Sequence, residues 1–242
     1  MKKLIPLFLL LSLNLFSQKM SDSEILKNTK PSYFIGIWDE KNSEKALKIS
    51  KLSYDEIPKD LDFRGTVIEA LKWNDSNGNN ILIQSLSGQF DWKDYDKNSK
   101  EYSLQDKSEI FAYLFIKEND NEPYKLKWRL YDYNECFGVD WFTGFIKNST
   151  TITDLNNNGI AEVSLPYVLI CRGGLDPGNM KIIMYEGNSK YALRGETMIC
   201  LGEKNSYGGN YKLSENLENQ KKIKEFLQNK WNTEKCEKGR FN

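Results

Sequence analysis

The sequence contains no histidine. That excludes a Ser-His-Asp or Cys-His nucleophile system, a histidine-ligated zinc and a histidine general base, so any catalysis must rest on carboxylates, Lys, Tyr, Arg or Cys. An excess of one charge is also missing, because Lys and Arg together number 34 and so do Asp and Glu. Basic residues are scattered among acidic neighbours with no stripe to neutralise a phosphate backbone, and no nucleic-acid partner is expected. Nor does any apolar run reach the roughly 20 residues that a membrane-spanning helix needs. The longest, Leu4 to Phe16, follows Lys2 and Lys3 and leads into Ser17 and Gln18. This is the layout of a secretory signal. Residues 1–18 are therefore expected to be a leader, and 19–242 one β-rich exported domain, periplasmic, at the cell surface or secreted, with no membrane span in the mature chain. No cysteine ends the apolar run, so a bacterial lipoprotein anchor is not indicated.

Aromatic residues make up 13% of the chain and apolar residues 39%, enough to build a core. From Gly65 onward the β signals dominate. Thr66–Trp73, Ile81–Leu86, Ile110–Ile116, Tyr124–Tyr131, Ile160–Cys171, Met180–Tyr185 and Tyr191–Cys200 are rich in β-branched or aromatic residues, with turn signals at Asn77-Gly78 and Asn188-Ser189. Within Tyr124–Tyr131, Leu126, Trp128 and Leu130 alternate with Lys125, Lys127 and Arg129, the pattern of a half-solvated antiparallel strand. The stretch from 19 to 59 is charged and irregular, broken by Pro31 and Pro58, with one short candidate strand at Tyr33–Trp38. Ser214 is a candidate cap for a helix over about 215–231, where Leu217, Ile223, Phe226, Leu227 and Trp231 share a face. The expected fold is mainly β: antiparallel sheets, in a sandwich or a propeller-like arrangement, with one C-terminal α-helix.

An oxidising compartment permits disulfides, and Cys136, Cys171, Cys200 and Cys236 allow three pairings. Cys136–Cys171 and Cys200–Cys236 are preferred because each joins sequence neighbours, and the second would fasten the C-terminal helix to the strand before it. The alternative leaves one pair as buried thiols.

The most specific pattern is Asp154, Asn156, Asn158, Gly159 and Glu162, D-x-N-x-N-G-x-x-E. Oxygen side chains at alternate positions can wrap a hard cation, the glycine allows the sharp turn, and the Ile160 carbonyl can add a ligand. Calcium is the expected ion because the donors are all oxygen. An EF-hand loop would place its bidentate Glu where this chain has Leu165, so the loop is not an EF-hand. With only Asp154 and Glu162 charged, affinity would fall at the weak end of the calcium range, on the order of 10⁻⁴–10⁻³ M. The alternative is an Asn-rich turn whose side chains bond their own backbone. A weak internal echo, Trp73-Asn-Asp-Ser-Asn-Gly78, has Trp73 where the first Asp would stand and is expected to be a turn. The Asp154 loop, feeding a strand, resembles the calcium loops of FG-GAP-type β-propeller blades over some dozen residues.

Phe90-Asp-Trp92, Tyr131-Asp-Tyr133 and Asp140-Trp-Phe142 place aromatics beside carboxylates, a combination that can stack on a sugar and bond its hydroxyls. Aromatics in strand cores with acids facing solvent are the alternative. Arg172-Gly-Gly-Leu-Asp-Pro-Gly178 is a polar turn of the kind that carries function or merely shapes the chain. Asp140, Trp141, Arg172 and Asp176 are the candidate carbohydrate contacts from these stretches.

The run Ile152–Val163, Cys171, Asn179–Gly187 and Lys190–Gly195, with Ile57-Pro58, Gly65, Trp73, Asp75 and Gly78 upstream, resembles a family of small exported bacterial proteins named for surface-polysaccharide biosynthesis. The resemblance implies a role connected with a surface glycan and supplies no fold, reaction or catalytic residue. Relatives carry a histidine directly after the position of Cys171, where this chain has Arg172. The expected function is a non-catalytic envelope protein with an accessory or binding role toward surface polysaccharide or another envelope protein. A carboxylate-dependent carbohydrate-active enzyme and an adhesin-like module binding through its sheet edges are the alternatives.

Overall fold

The computed structural model describes residues 36–136, 140–202 and 205–237. The expected leader, and Tyr33–Ile35 of the first candidate strand, lie outside the described residues. Of that candidate strand, Trp38 forms an isolated parallel bridge with Thr150.

The first sheet is an antiparallel meander of β1 (Ser50–Lys51), β2 (Thr66–Asp75), β3 (Gly78–Asp96), β4 (Glu101–Lys117) and β5 (Lys125–Cys136) in chain order. The chain then supplies β6 (Asp140–Phe145), β7 (Thr151–Thr153), β8 (Glu162–Arg172), β9 (Asn179–Glu186) and β10 (Ser189–Glu196), followed by a small ribbon of β11 (Met198–Ile199) and β12 (Tyr207–Gly208) and by β13 (Tyr211–Leu213). The second sheet runs β13-β10-β9-β8-β6, with β7 also paired to β8. The helix α1 (Lys221–Glu234) closes the fold.

The sheets stack as a sandwich. On β4, Ile110, Ala112 and Leu114 point toward the second sheet and share one core with Leu82, Val163 and Leu165. The alternate residues Phe111, Tyr113 and Phe115 point outward and are covered by Leu52, Ile57, Leu61 and Phe63 from the segment before β2. The outer face of the second sheet carries Val168, Ile182 and Met184, which pack under Leu217, Ile223, Leu227 and Trp231. Both sheets are thus covered on both sides at their centres, which explains why their strands read as nearly continuous apolar runs. The disulfide Cys136–Cys171 joins β5 to β8 across the sandwich, and Cys200–Cys236 ties the end of β11 to the chain after α1, as preferred from sequence.

Three local expectations are corrected. The helix starts at Lys221 rather than about 215, because Ser214 heads only a 3-10 turn, Glu215–Leu217. The Ser214 hydroxyl accepts from the Ala192 N–H (3.1 Å) and fixes that turn to β10. Leu126 does not share a face with Trp128 and Leu130. A register shift pairs Leu114 with Trp128 but Phe115 with Leu126, which turns Leu126 outward, where it is 51% exposed. Finally, β3 and β4 continue far beyond Leu86 and Ile110. After a second shift at Leu86/Gln89, a polar hairpin arm runs out to Asp96 and returns from Glu101.

Candidate functional site

The strand register decides which aromatic residues meet. Phe90 lies opposite Lys107, Trp92 opposite Gln105, Lys107 opposite Glu135, Glu109 opposite Tyr133 and Phe111 opposite Tyr131. Side chains alternate along a strand, so these residues all project from the outer face of the first sheet. Two of the aromatic–carboxylate stretches, Phe90-Asp-Trp92 and Tyr131-Asp-Tyr133, therefore converge on one surface. The covering segment from Leu52 ends over Phe111 and Tyr113. Beyond it Trp92, Tyr131 and Tyr133 stay 41%, 45% and 44% exposed.

Lys107 organises this surface. Its ammonium lies 4.3 Å from the ring centroid of Trp92 and 4.3 Å from that of Tyr133, close enough for cation–π attraction to both. Glu109 (3.7 Å) and Glu135 (3.5 Å) balance its charge. The rings continue as Tyr133–Tyr131 at 5.9 Å and Tyr131–Phe111 at 5.4 Å between centroids, and Arg64 sits over Phe111 while pairing with Glu109 at 3.7 Å. The Tyr131 hydroxyl donates to Glu109 (2.8 Å); burial and that carboxylate push its pKa well above the usual phenol range. Tyr131 is therefore a neutral ring held in one orientation, with its partners already in place.

The third stretch, Asp140-Trp-Phe142, lies elsewhere. Trp141 is half-buried at the edge strand β6, in a groove of about 180 Å³ with Gly88, Gln89, Ser108 and Thr143. The Ser108 and Thr143 hydroxyls are buried there without a protein partner among the described residues. Asp140 is exposed and pairs across the ladder with Arg172. The Arg172 guanidinium is committed: it forms a two-point ion pair with Glu237 (3.1 and 2.8 Å) and donates to the Asp176 carbonyl (2.6 Å), while the Asp176 side chain is exposed. These four residues do not assemble a site with the aromatic face.

The groove adjoins a cleft of about 750 Å³, floored by Ile37, Ile68, Leu86 and Phe145 and rimmed by Asp39, Lys147 and Glu234. Asp39 and Glu234 are the carboxylates of its lining, and both oxygens of Asp39 accept from Asn42 (3.2 and 2.7 Å) and hold a turn.

The Asp154 loop gives the calcium expectation no support. Asp154 Oδ1 accepts from the Asn158 N–H and Oδ2 from the Gly159 N–H (3.0 Å each), Asn156 Oδ1 accepts from the Asn158 N–H (3.0 Å), and Asn158 Oδ1 from the Ile160 N–H (2.8 Å). The amide groups of Asn156 and Asn158 then donate to Glu186 Oε1 (2.6 and 2.7 Å). Glu162 is buried, and its Oε2 accepts from the Leu155 N–H (2.8 Å) and the Thr153 hydroxyl (3.1 Å). Among the described residues no three His, Cys, Asp or Glu side chains converge to hold a metal. The loop closes on the carboxylate of Glu186, a partner on β9 that no local pattern reveals. Its weak echo also has a place: the Ser76 N–H donates to the Gly159 carbonyl (2.7 Å) and the Ala161 N–H to Asp75 (3.1 Å), so the two Asn-Gly turns dock one sheet on the other. Gly159 has φ +79°, and a Cβ there would collide with the Ser76 hydroxyl.

No protein-family model, curated protein or solved structure matches the chain.

Proposed function

We propose that the protein is an exported, non-catalytic binding module of the cell envelope that holds a surface polysaccharide against the outer face of its first sheet. The carrying observation is the convergence of Trp92, Tyr131 and Tyr133, each more than two-fifths exposed, around Lys107 and its two carboxylates. Aromatic rings offer large, rigid apolar faces for the C–H side of a sugar, and the interleaved carboxylates and cations bond its hydroxyls. Two disulfides suit an oxidising compartment, which supports the exported setting. The resemblance to exported proteins named for surface-polysaccharide biosynthesis points the same way.

Affinity electrophoresis of the folded protein through gels containing a panel of soluble polysaccharides tests the reading. Retardation by at least one polymer, weakened on Trp92→Ala, is the expected result, and migration unaffected by every polymer would overturn it. A second reading, a carboxylate enzyme, rests on Asp39 and Glu234 sharing the cleft. Release of reducing ends that disappears in both Asp39→Asn and Glu234→Gln would favour it.

A further inference from the structure

Resting on that reading, we infer that the aromatic face takes an extended, uncharged polysaccharide chain, several sugars at a time, rather than a single sugar or an acidic polymer. The first ground is shape. The rings cross the sheet from Trp92 on β3, past Lys107 on β4, to Tyr133 and Tyr131 on β5, a path of about 10 Å at the usual strand spacing and longer than one sugar ring. None of the three aromatic residues lines the cleft or the adjoining groove. The Tyr131 and Tyr133 rings lie 5.9 Å apart at 31°, and Trp92 stands on the far side of the Lys107 ammonium, so neighbouring units of one chain can each meet a ring.

The second ground is charge. The four ionic side chains set among the rings, Lys107, Arg64, Glu109 and Glu135, pair with one another at 3.5–3.7 Å. These two cations and two carboxylates cancel one another among the rings; on the same face Arg129, two residues from Tyr131, is exposed, and Asp96 and Glu101 lie opposite each other at the end of the arm. An acidic polymer would meet carboxylates whose cations are already paired, with Arg129 the cation beside Tyr131 that stands outside those pairs, whereas a chain of hydroxyl-bearing neutral sugars meets donors and acceptors alike. Lys107 in particular is unavailable as a free anion receptor, since its side chain is 8% exposed and its ammonium is held between two rings.

The test uses the full folded chain in affinity gels containing hydroxyethylcellulose, dextran, laminarin or polygalacturonate, with mono-, di-, tetra- and hexasaccharides of the retarding polymer as competitors. The expected result is retardation by a neutral polymer, no retardation by polygalacturonate, and competition that strengthens by up to about tenfold for each further ring engaged. Trp92→Ala and Tyr133→Ala should flatten that length dependence, while Glu225→Ala, at an exposed position of the helix that covers the outer face of the other sheet, should leave it intact. Monosaccharide competing as well as hexasaccharide, or retardation by polygalacturonate alone, would overturn the inference and leave the glycan-binding reading standing. No retardation by any polymer would overturn the reading itself.

Discussion

Arg172 and Glu237 are joined by two parallel N–H···O bonds, Nη1–Oε1 at 3.1 Å and Nη2–Oε2 at 2.8 Å, although 65 residues separate them in the chain. Glu237 also accepts from the Thr197 hydroxyl and from the Gly178 N–H (3.4 Å), so one carboxylate gathers the loop after β8, the loop between β10 and β11, and the chain beyond α1. Bidentate pairs of this kind are the strong ones, and removing one partner strands the other. Glu237→Ala is expected to cost about 2–3 kcal/mol in denaturant unfolding, and Arg172→Lys to recover only part of the pair because a single ammonium cannot reproduce the fork. Equal stability of Arg172→Lys and wild type would show that the fork is not what holds the loop.

The two disulfides close loops with sequence separations of 35 and 36, for which chain-entropy arguments give about 3–4 kcal/mol each. Cys136–Cys171 crosses between the sheets, while Cys200–Cys236 fastens only the terminal segment. Replacing the first pair by Ala should therefore lower cooperativity as well as stability. Replacing the second should leave the sandwich core folded. Unreduced protein should weigh four hydrogens less than reduced protein by intact mass, and a difference of two would leave one bridge unformed.

The sheets were legible where strands are buried, because burial on both faces forces β-branched and aromatic runs such as Ile110–Ile116 and Ile160–Cys171. The hairpin arm from Gln89 to Asp106 was not. Its strands have no core to face, so Lys, Asp and Ser fill it and no apolar run marks it. That gap hid the meeting of two stretches already singled out by their aromatics and carboxylates: Trp92 and Tyr133 lie 41 positions apart, and only the β3–β4–β5 register brings both rings onto Lys107. The Asp154 loop stayed open between two readings for the opposite reason. Its spacing suits a cation and an amide-lined turn equally, and the deciding partner, Glu186, is 28 residues beyond Asn158.

Trp92 and Tyr133 are partly exposed, so truncating them should affect binding more than folding. Trp92→Ala and Tyr133→Ala are each expected to weaken polymer retardation about threefold to tenfold, the worth of about 0.5–1.5 kcal/mol for an aromatic contact. Melting temperatures should move by no more than a few degrees. Loss of retardation accompanied by a collapse in melting temperature would assign the rings a structural role.

Burial, with Glu186 directly opposite on β9 adding repulsion, pushes Glu162 from 4.5 up to about 7 in spite of the hydrogen bonds it accepts from Leu155 and Thr153. A carboxyl raised in this way binds its proton more tightly folded than unfolded. Its stabilising contribution is complete below pH 4.5 and is lost as the pH rises through about 7. Glu162→Gln keeps the shape without the charge, so the difference in melting temperature, variant minus wild type, should grow from about pH 5 to about pH 8. A difference independent of pH would show that Glu162 is ionised in the folded protein throughout.

The Asn156 and Asn158 amide groups aim their N–H bonds at Glu186, and a cation in the loop would have to share space with those donors. Two consequences separate an amide-lined turn from a calcium loop. First, EDTA should leave the melting temperature of the wild-type protein unchanged, and added calcium should not raise it. Second, Glu186→Ala should lower it by a few degrees, since two amide groups lose their acceptor, and Glu186→Gln should restore part of the loss by returning one acceptor oxygen. A chelator-dependent drop that Asp154→Ala abolishes would reverse the assignment, because a turn closed by its own side chains has nothing for a chelator to remove.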